Sequence, residues 1–345
     1  MDAQKDRLLI LKGSEVISLL EGREREITET VKSAYETHGR GDSSLPQSVF
    51  LRFPGDQENR IIGLPTYLGG ETKAAGIKWI ASFPSNSGLG LERASAIVIL
   101  NSVETGRPLA MMEGSIISAK RTAASAVLGA QYLLDGREVD EAGLVGCGPI
   151  NFEIASFLLR VLPELRSLIV YDLDPARAKQ FINKCRDLPG HIEAVVAESV
   201  EGVLSRCSLI SFATTAIVPH VFDISMCRPA SVILHISLRD LSPEIILSSD
   251  NVVDDIDHVC RANTSIHLAV QSAGNSDFIR CTLADILSGS APARKDNSRI
   301  AIFSPFGLGM LDIALGKLIY DRAKSEGIGV VIDSFIPGSW LSRSH

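Results

Sequence analysis

Residues 143–151 read Gly-Leu-Val-Gly-Cys-Gly-Pro-Ile-Asn. Glu141 to Val145 is a short apolar run that predicts a strand. Gly146 and Gly148 predict a sharp turn. Pro149 opens a helix to Val161, with Ile150, Ile154, Phe157, Leu158 and Val161 on one face. Pro163 prevents its continuation. A second strand, Ser167 to Tyr171, runs into Asp172, and a second helix is expected from Pro175 to Arg186. Further strands are expected at His191 to Ala197, Leu209 to Ala213 and Ser231 to Ser237, with helical stretches between most of them. This alternation predicts a parallel sheet covered on both faces.

The turn has a chemistry of its own. Gly146 permits the sharp bend, and Gly148 lets the backbone approach a pyrophosphate. The following helix offers free N–H groups and the positive end of its dipole. Asn151 stands where a third glycine is usual. Asp172, 26 residues after Gly146, is placed to accept hydrogen bonds from the adenosine ribose. An acid there favours NAD over NADP, although Arg177 nearby keeps NADP open. The NAD-binding set is therefore Gly146, Cys147, Gly148, Pro149, Ile150 and Asp172. Ser237, at a strand end, and Gly307, in a glycine turn, complete it together with Thr214 and Thr215. Two readings stand for the threonines: cofactor contacts, or ordinary caps of the next turn.

The 345 residues suggest two domains. Hydrophobic residues make up 45% and charged residues 22%, as in an ordinary globular protein. A net charge of −7 repels phosphate backbones, so no nucleic-acid partner is expected. Met1 to Lys12 lacks the apolar core of a signal peptide, and no run is long enough to span a bilayer, so no membrane association is expected. Six cysteines are scattered singly. That fits a reducing, cytoplasmic location and argues against a disulfide framework or a structural zinc site. No metal is expected.

Ser14 to Gly39 reads as one helix, and residues 45 to 112 as a strand-rich stretch that includes Ile77–Ile80 and Ala96–Leu100. Ser115 to Leu134 is a helix of small residues suited to linking two domains. A strand at Ile300–Phe303 and a helix at Leu308–Lys324 follow, the helix returning to the first unit. The expected fold is α/β: a Rossmann-type doubly wound parallel sheet plus a discontinuous α+β substrate-binding and dimerisation domain. The boundaries are 1–118 with 313–345 for the substrate domain and 119–312 for the nucleotide domain.

Residues 52 to 121 hold eight basic side chains (Arg52, Arg60, Lys73, Lys78, Arg93, Arg107, Lys120 and Arg121) against six acidic ones, in a chain that is acidic overall. Lys78 lies within an apolar strand and Arg121 within an Ala-rich helix. Charges in such surroundings need partners. A substrate carboxylate and an internal salt bridge are equally compatible with the pattern. Asp240 follows a strand and precedes Leu241-Ser242-Pro243-Glu244, so it is either a general base or a helix cap, and the pattern favours the cap. Asp254-Asp255-Ile256-Asp257-His258-Val259-Cys260 lacks a second ligand group and reads as a strand end entering a polar loop. None of the seven histidines has a clear catalytic context.

Gly76-Ile77-Lys78-Trp79, Arg121-Thr122-Ala123-Ala124, Gly146-Cys147-Gly148, the Asp240 turn and Gly307-Leu308-Gly309-Met310-Leu311-Asp312 together resemble the ornithine cyclodeaminase/μ-crystallin family over nearly the whole chain. Arg60-Ile61-Ile62-Gly63-Leu64-Pro65, Gly69-Gly70, Leu91-Glu92-Arg93-Ala94-Ser95, Met112-Glu113-Gly114-Ser115 and Val253-Asp254-Asp255 resemble its 2,3-diaminopropionate-forming branch, the N-((2S)-2-amino-2-carboxyethyl)-L-glutamate dehydrogenases of staphyloferrin B-type siderophore pathways. Departures are Asn151 and the pair Gly63-Leu64, where relatives tend to have Ala-Met.

The resemblance implies a homodimer and an amino-acid-derived tricarboxylate substrate. It implies carboxylates held at Arg52, Lys78, Arg93 and Arg121, with Asp240 and Lys78 as catalytic residues. An ornithine cyclodeaminase or ketimine reductase is the alternative, with Glu92 or Glu113 receiving a substrate ammonium. A nucleotide-dependent binding protein without turnover is a second, against which the presence of Lys78 and Asp240 argues.

Overall fold

The computed structural model describes residues 6–337 except 189 and 191. Met1–Lys5 and residues 338–345, counted in the expected substrate domain, and His191, the expected start of a strand, lie outside the described residues. The chain divides into two compact units. One takes residues up to Arg23, Arg40–Ser118 and the chain from Gly309 onward; the other takes Glu24–Gly39 and Ala119–Leu308.

The second unit is built on eight strands. Across the sheet they run Glu193–Val196, Ser167–Tyr171, Glu141–Val145, Leu209–Phe212, Val232–His235, Ala301–Ser304, Asp250–Val253 and Ile279–Thr282. Every pairing is parallel. Such a sheet is buried on both faces, which is why Leu144, Val170, Ile210, Phe212, Ile233 and Phe303 are all buried. The chain starts at Glu141–Val145, moves outward to one edge, then crosses back to Leu209–Phe212 and continues to the other edge. The order therefore reverses between these two strands, and ligands of doubly wound sheets bind at the carboxyl ends of such a pair. Asp250–Val253 is the strand whose end was read at Asp254, whereas Ile279–Thr282 was not expected from the sequence, being short and flanked by polar residues.

The helix expected from Ser14 to Gly39 is two helices, Gly13–Leu20 and Glu24–Gly39. Gly22, at φ +70°, ends the first. The second helix belongs to the nucleotide unit and not to the strand-rich one, as its position in the sequence suggested. It buries Ile27, Val31, Ala34 and Tyr35, and the Tyr35 hydroxyl pairs with that of Ser125 at 2.7 Å.

The first unit has its own eight-stranded sheet. Val330–Ile332 pairs with Leu8–Leu11, followed by Pro108–Glu113, Ala94–Asn101, Ala74–Ser82, Asp56–Leu68 and Ser43–Ser44, and Val49–Phe53 also pairs with Asp56–Leu68. Register sorts its side chains by period two. Lys78 faces Leu64 and Val98 across the ladder, and Ser82 on the same face is opposite Arg60, itself opposite Arg52. The helix Gly309–Glu326 covers this face, with Gly316 close against Val98, Leu100 and Met112. The opposite face carries Val49, Gly63, Trp79 and Ile97 in one cross-strand row. Val49, Trp79 and Ile97 are exposed, as is Leu51 on the same face.

Candidate functional site

The nucleotide turn is held from several sides. Gly146 has φ +93° and donates its N–H to the Tyr171 carbonyl at 2.8 Å. A β-carbon here would lie 2.5 Å from the Ala213 carbonyl oxygen and 3.3 Å from Thr214 Cα, so only glycine fits. Gly148 differs: its φ is −100°, and a β-carbon would meet nothing within 4 Å. No protein contact calls for glycine at 148, whereas a ligand pressed against the backbone would. No side chain caps the helix Pro149–Val161 that follows, so its first N–H groups are available to an anion. A dinucleotide pyrophosphate fits this cradle, with Pro149 and Ile150 opening the helix at its edge.

Asp172 accepts from Cys147 N at 2.7 Å and from Asp174 N at 2.9 Å. It stays partly exposed. The Cys147 thiol, pushed up to about 12 by burial with Asp172 beside it, is no nucleophile; Cys147 contributes its backbone. Asn151, fully buried, explains the missing third glycine. Its amide donates to Val145 O at 2.9 Å and Gly146 O at 2.7 Å, and its Oδ1 accepts from the Ser211 hydroxyl at 2.7 Å. The side chain staples turn, helix and neighbouring strand together.

Asp240 lies at the centre of the second constellation, completely buried. The sequence pattern favoured a helix cap, but Ser242 takes that role, accepting from Ile245 N. Oδ1 of Asp240 instead accepts from the Thr214 hydroxyl and lies 3.1 Å from His220 Nε2. Oδ2 accepts from the Ser237 hydroxyl and lies 3.3 Å from His235 Nε2. Burial works to raise this carboxyl; the hydrogen bonds from His220, His235 and Ser237 outweigh it and hold the group far below the ordinary carboxylate range. The loop turns at Leu238, whose φ of +66° is rare for a residue with a β-carbon. Thr214 donates its hydroxyl to Asp240 and also accepts from Ala216 N at 3.1 Å as a cap of the local turn, and Thr215 is exposed.

Two histidines, neither singled out by its sequence context, thus stand beside Asp240. They lie 20 and 5 residues before it in sequence, and only the sheet brings them to one carboxylate.

Gly307, at φ +92°, donates to Asp254 Oδ2 at 2.7 Å, and a β-carbon there would sit 2.6 Å from Arg121 Nη1. Arg121, buried, is thereby seated on the Gly307 turn. Asp254 also accepts from Phe306 N at 2.8 Å, and burial pushes its carboxyl up to about 6. It is a structural anchor for this turn.

In the first unit, Lys78 is 2% exposed and ion-pairs with the fully buried Asp312 at 2.7 Å, with Ser118 Oγ at 3.2 Å. The internal salt bridge left open by the sequence is present. Arg52 and Arg93 are exposed and Arg60 is partly buried. Arg60 stands opposite Arg52 and Ser82, and Ser82 is opposite Ala94, next to Arg93; burial, then the charges of Arg93 and Arg52, lowers the Arg60 guanidinium. Among the described residues, none of these arginines forms a salt bridge with a carboxylate; Arg60 reaches the Glu58 carbonyl at 3.4 Å, and Arg52 lies over the Phe50 ring. Glu113 accepts from Ser115 N, the Ser115 hydroxyl and Ile116 N, so it caps the helix Ser115–Leu134.

The chain matches the ornithine cyclodeaminase/mu-crystallin family over residues 10–327. It belongs to that family. A family relative from Staphylococcus aureus, N-((2S)-2-amino-2-carboxyethyl)-L-glutamate dehydrogenase, is 27% identical over 95% of this chain and 99% of its own. The solved Δ1-pyrroline-2-carboxylate reductase of Thermococcus litoralis, in complex with NADH and L-proline, superposes with a TM-score of 0.86 at 27% identity, covering 93% of this chain and 99% of that one. An archaeal alanine dehydrogenase dimer with bound NAD gives 0.84 at 30% identity, covering 94% and 99%. The α/β fold with a Rossmann-type sheet is common to the family members compared. No helix among the described residues is long and apolar enough to cross a membrane.

Proposed function

We propose that this family member is an NAD-dependent oxidoreductase acting on the CH–NH bond of an amino-acid-derived tricarboxylate, N-((2S)-2-amino-2-carboxyethyl)-L-glutamate. The products are 2-oxoglutarate, L-2,3-diaminopropionate and NADH, for siderophore or antibiotic precursor synthesis. The observation that carries the substrate class is the group Arg52, Arg60 and Arg93. Three guanidinium groups gathered with no salt bridge to a carboxylate among the described residues repel one another, and a ligand with several carboxylates relieves that repulsion through bidentate pairing. The Staphylococcus aureus relative supports the same substrate.

NAD, when bound, accepts a hydride. The chain's own residues supply the rest. Gly146, Cys147, Gly148, Pro149, Ile150, Asp172, Thr214, Thr215, Ser237 and Gly307 form the cofactor set. Arg52, Lys78, Arg93 and Arg121 hold substrate carboxylates. The hydride leaves the glutamyl α-carbon, next to the bridging amine, and a C=N bond forms. Water adds to that carbon with proton transfer governed by Asp240, and the C–N bond breaks. Lys78, with Asp312 at its ammonium, balances charge. The first unit is the substrate-binding and dimerisation domain and the second the NAD domain. The exposed row Val49, Trp79 and Ile97 supports a homodimer through the first unit's sheet. Six free cysteines support a cytoplasmic location.

Glu113, engaged as a helix cap, is a poor receptor for an ornithine ammonium, which weighs against cyclodeamination. The test is nicotinamide fluorescence after mixing protein, NAD⁺ and either the tricarboxylate or L-ornithine. NADH with the tricarboxylate alone, accompanied by 2-oxoglutarate, is expected. Proline and ammonia from ornithine, with no NADH from the tricarboxylate, would overturn the substrate reading.

A further inference from the structure

Asp240 is poorly placed to touch water itself. It is 0% exposed, and both carboxylate oxygens are already engaged. Thr214 and His220 hold Oδ1, and Ser237 and His235 crowd Oδ2. Its strong hydrogen bonding also makes it a weak base. A proton acceptor for an attacking water must be looked for among its neighbours.

The two histidines differ. His235 is fully buried. Its Nε2 lies 3.1 Å from the Asp240 backbone nitrogen and 3.3 Å from Oδ2, and its Nδ1 faces the Ser304 hydroxyl at 3.4 Å. It has no route to solvent. The His220 side chain is 41% exposed, and one ring nitrogen, Nε2, points at Asp240 Oδ1. Its backbone is fixed as firmly as a strand: the N–H groups of His220 and Val221 both donate to Asp240 O at 2.9 Å, and Ser242 N donates to Val221 O at 2.9 Å. A carboxylate that orients one nitrogen of a partly exposed imidazole leaves the other to exchange protons.

We propose that His220 is the residue that exchanges protons with water and substrate nitrogen, and that Asp240 is the positioning residue that holds its imidazole. This rests on the oxidoreductase reading above. After hydride loss to NAD⁺ the substrate carries a protonated C=N bond. Water adds its oxygen to that carbon, and His220 Nδ1 takes the proton released. His220 returns that proton to the nitrogen. The C–N bond then breaks as the hydroxyl becomes a carbonyl, and its proton leaves through His220 to solvent. One water is consumed and one proton is released overall.

The test uses the full-length protein with His220→Gln, His220→Ala and Asp240→Asn. NADH formation is followed against pH, NAD⁺ affinity by fluorescence, and the order of the His220 ring by NMR. His220→Gln is expected to lower kcat at least ~100-fold and to remove one limb of the kcat/KM profile, with NAD⁺ affinity within about twofold of wild type. Added imidazole restores part of the rate to His220→Ala. Asp240→Asn is expected to keep that limb at a lower kcat while the His220 ring becomes less ordered. His220→Gln with kcat within about threefold of wild type and the same profile overturns the proposal, and this arm decides even where Asp240→Asn does not fold. Should the wild type reduce NAD⁺ with neither the tricarboxylate nor ornithine, the substrate reading fails on its own. The pair is then judged by NMR, where a His220 ring as well ordered in Asp240→Asn as in wild type overturns it and a looser ring supports it.

Discussion

At Lys78 the chain buries an ammonium whose ion-pair partner, Asp312, lies 234 residues away. Removing one member of such a pair leaves a charge in the interior without its ion-pair partner, which costs about 3–5 kcal/mol, whereas replacing both with apolar groups is close to neutral. Lys78→Met is therefore expected to lower the urea midpoint strongly, and Lys78→Met with Asp312→Leu to recover most of it; equal loss in both variants would refute the ion-pair account. The double variant, though folded, should lack turnover if Lys78 also meets substrate. Single residues set the limit of what the sequence disclosed. Lys78 was recognisable as a charge in need of a partner, but its partner is distant in the chain. Asp240 was visible, yet residue types at a helix start do not separate a cap from a buried acid two positions earlier. His220 and His235 carried no local signal because their shared neighbour exists only in the folded sheet.

At the scale of the element, the strand–turn–helix from Glu141 to Val161 was legible almost residue for residue. Its signals are local: apolar strand, glycines, proline at the first helical turn. The two glycines of its turn serve different ends, and they separate experimentally. Gly146→Ala forces a β-carbon against Ala213 in a backbone conformation unsuited to it, so stability and NAD⁺ binding should fall together. Gly148→Val fills open space at an ordinary φ, so the melting temperature should stay within a few degrees while NAD⁺ affinity drops by tenfold or more. Parallel calorimetry and fluorescence titration check this; intact NAD⁺ binding by Gly148→Val would remove the pyrophosphate from the turn. Less legible were the short strands Leu8–Leu11 and Ile279–Thr282. Four residues give too little periodicity to read, and pairing partners far along the chain decide them.

For the whole molecule, acid stability follows from carboxylates in opposed situations. Asp240 and Asp255 are both lowered. Burial opposes ionisation in each, and histidine hydrogen bonds prevail: His220 and His235 at Asp240, His258 and His38 at Asp255. The stability they contribute is complete above an unfolded value of ~3.9 and is lost as pH falls below it. Asp254 runs the other way. With its carboxyl raised to about 6 by burial, its contribution is present at low pH and lost as pH rises through 6. Urea midpoints should therefore fall between pH 5 and pH 3, and Asp255→Asn should flatten that fall. An unchanged slope in the variant would rule out Asp255 as a source of it.

The first unit is threaded from both sides of the second. Its sheet joins Leu8–Leu11 to Pro108–Glu113 and to Val330–Ile332, and its inner face is closed by the helix Gly309–Glu326. A chain emerging from the ribosome therefore completes residues 119–308 while Val98, Leu100 and Met112 still lack their cover. The nucleotide-binding half can fold during synthesis, and the half with the arginines must wait for the last helix. In the cell, a stalled or truncated copy would display an open apolar sheet, an obvious target for chaperones and proteases.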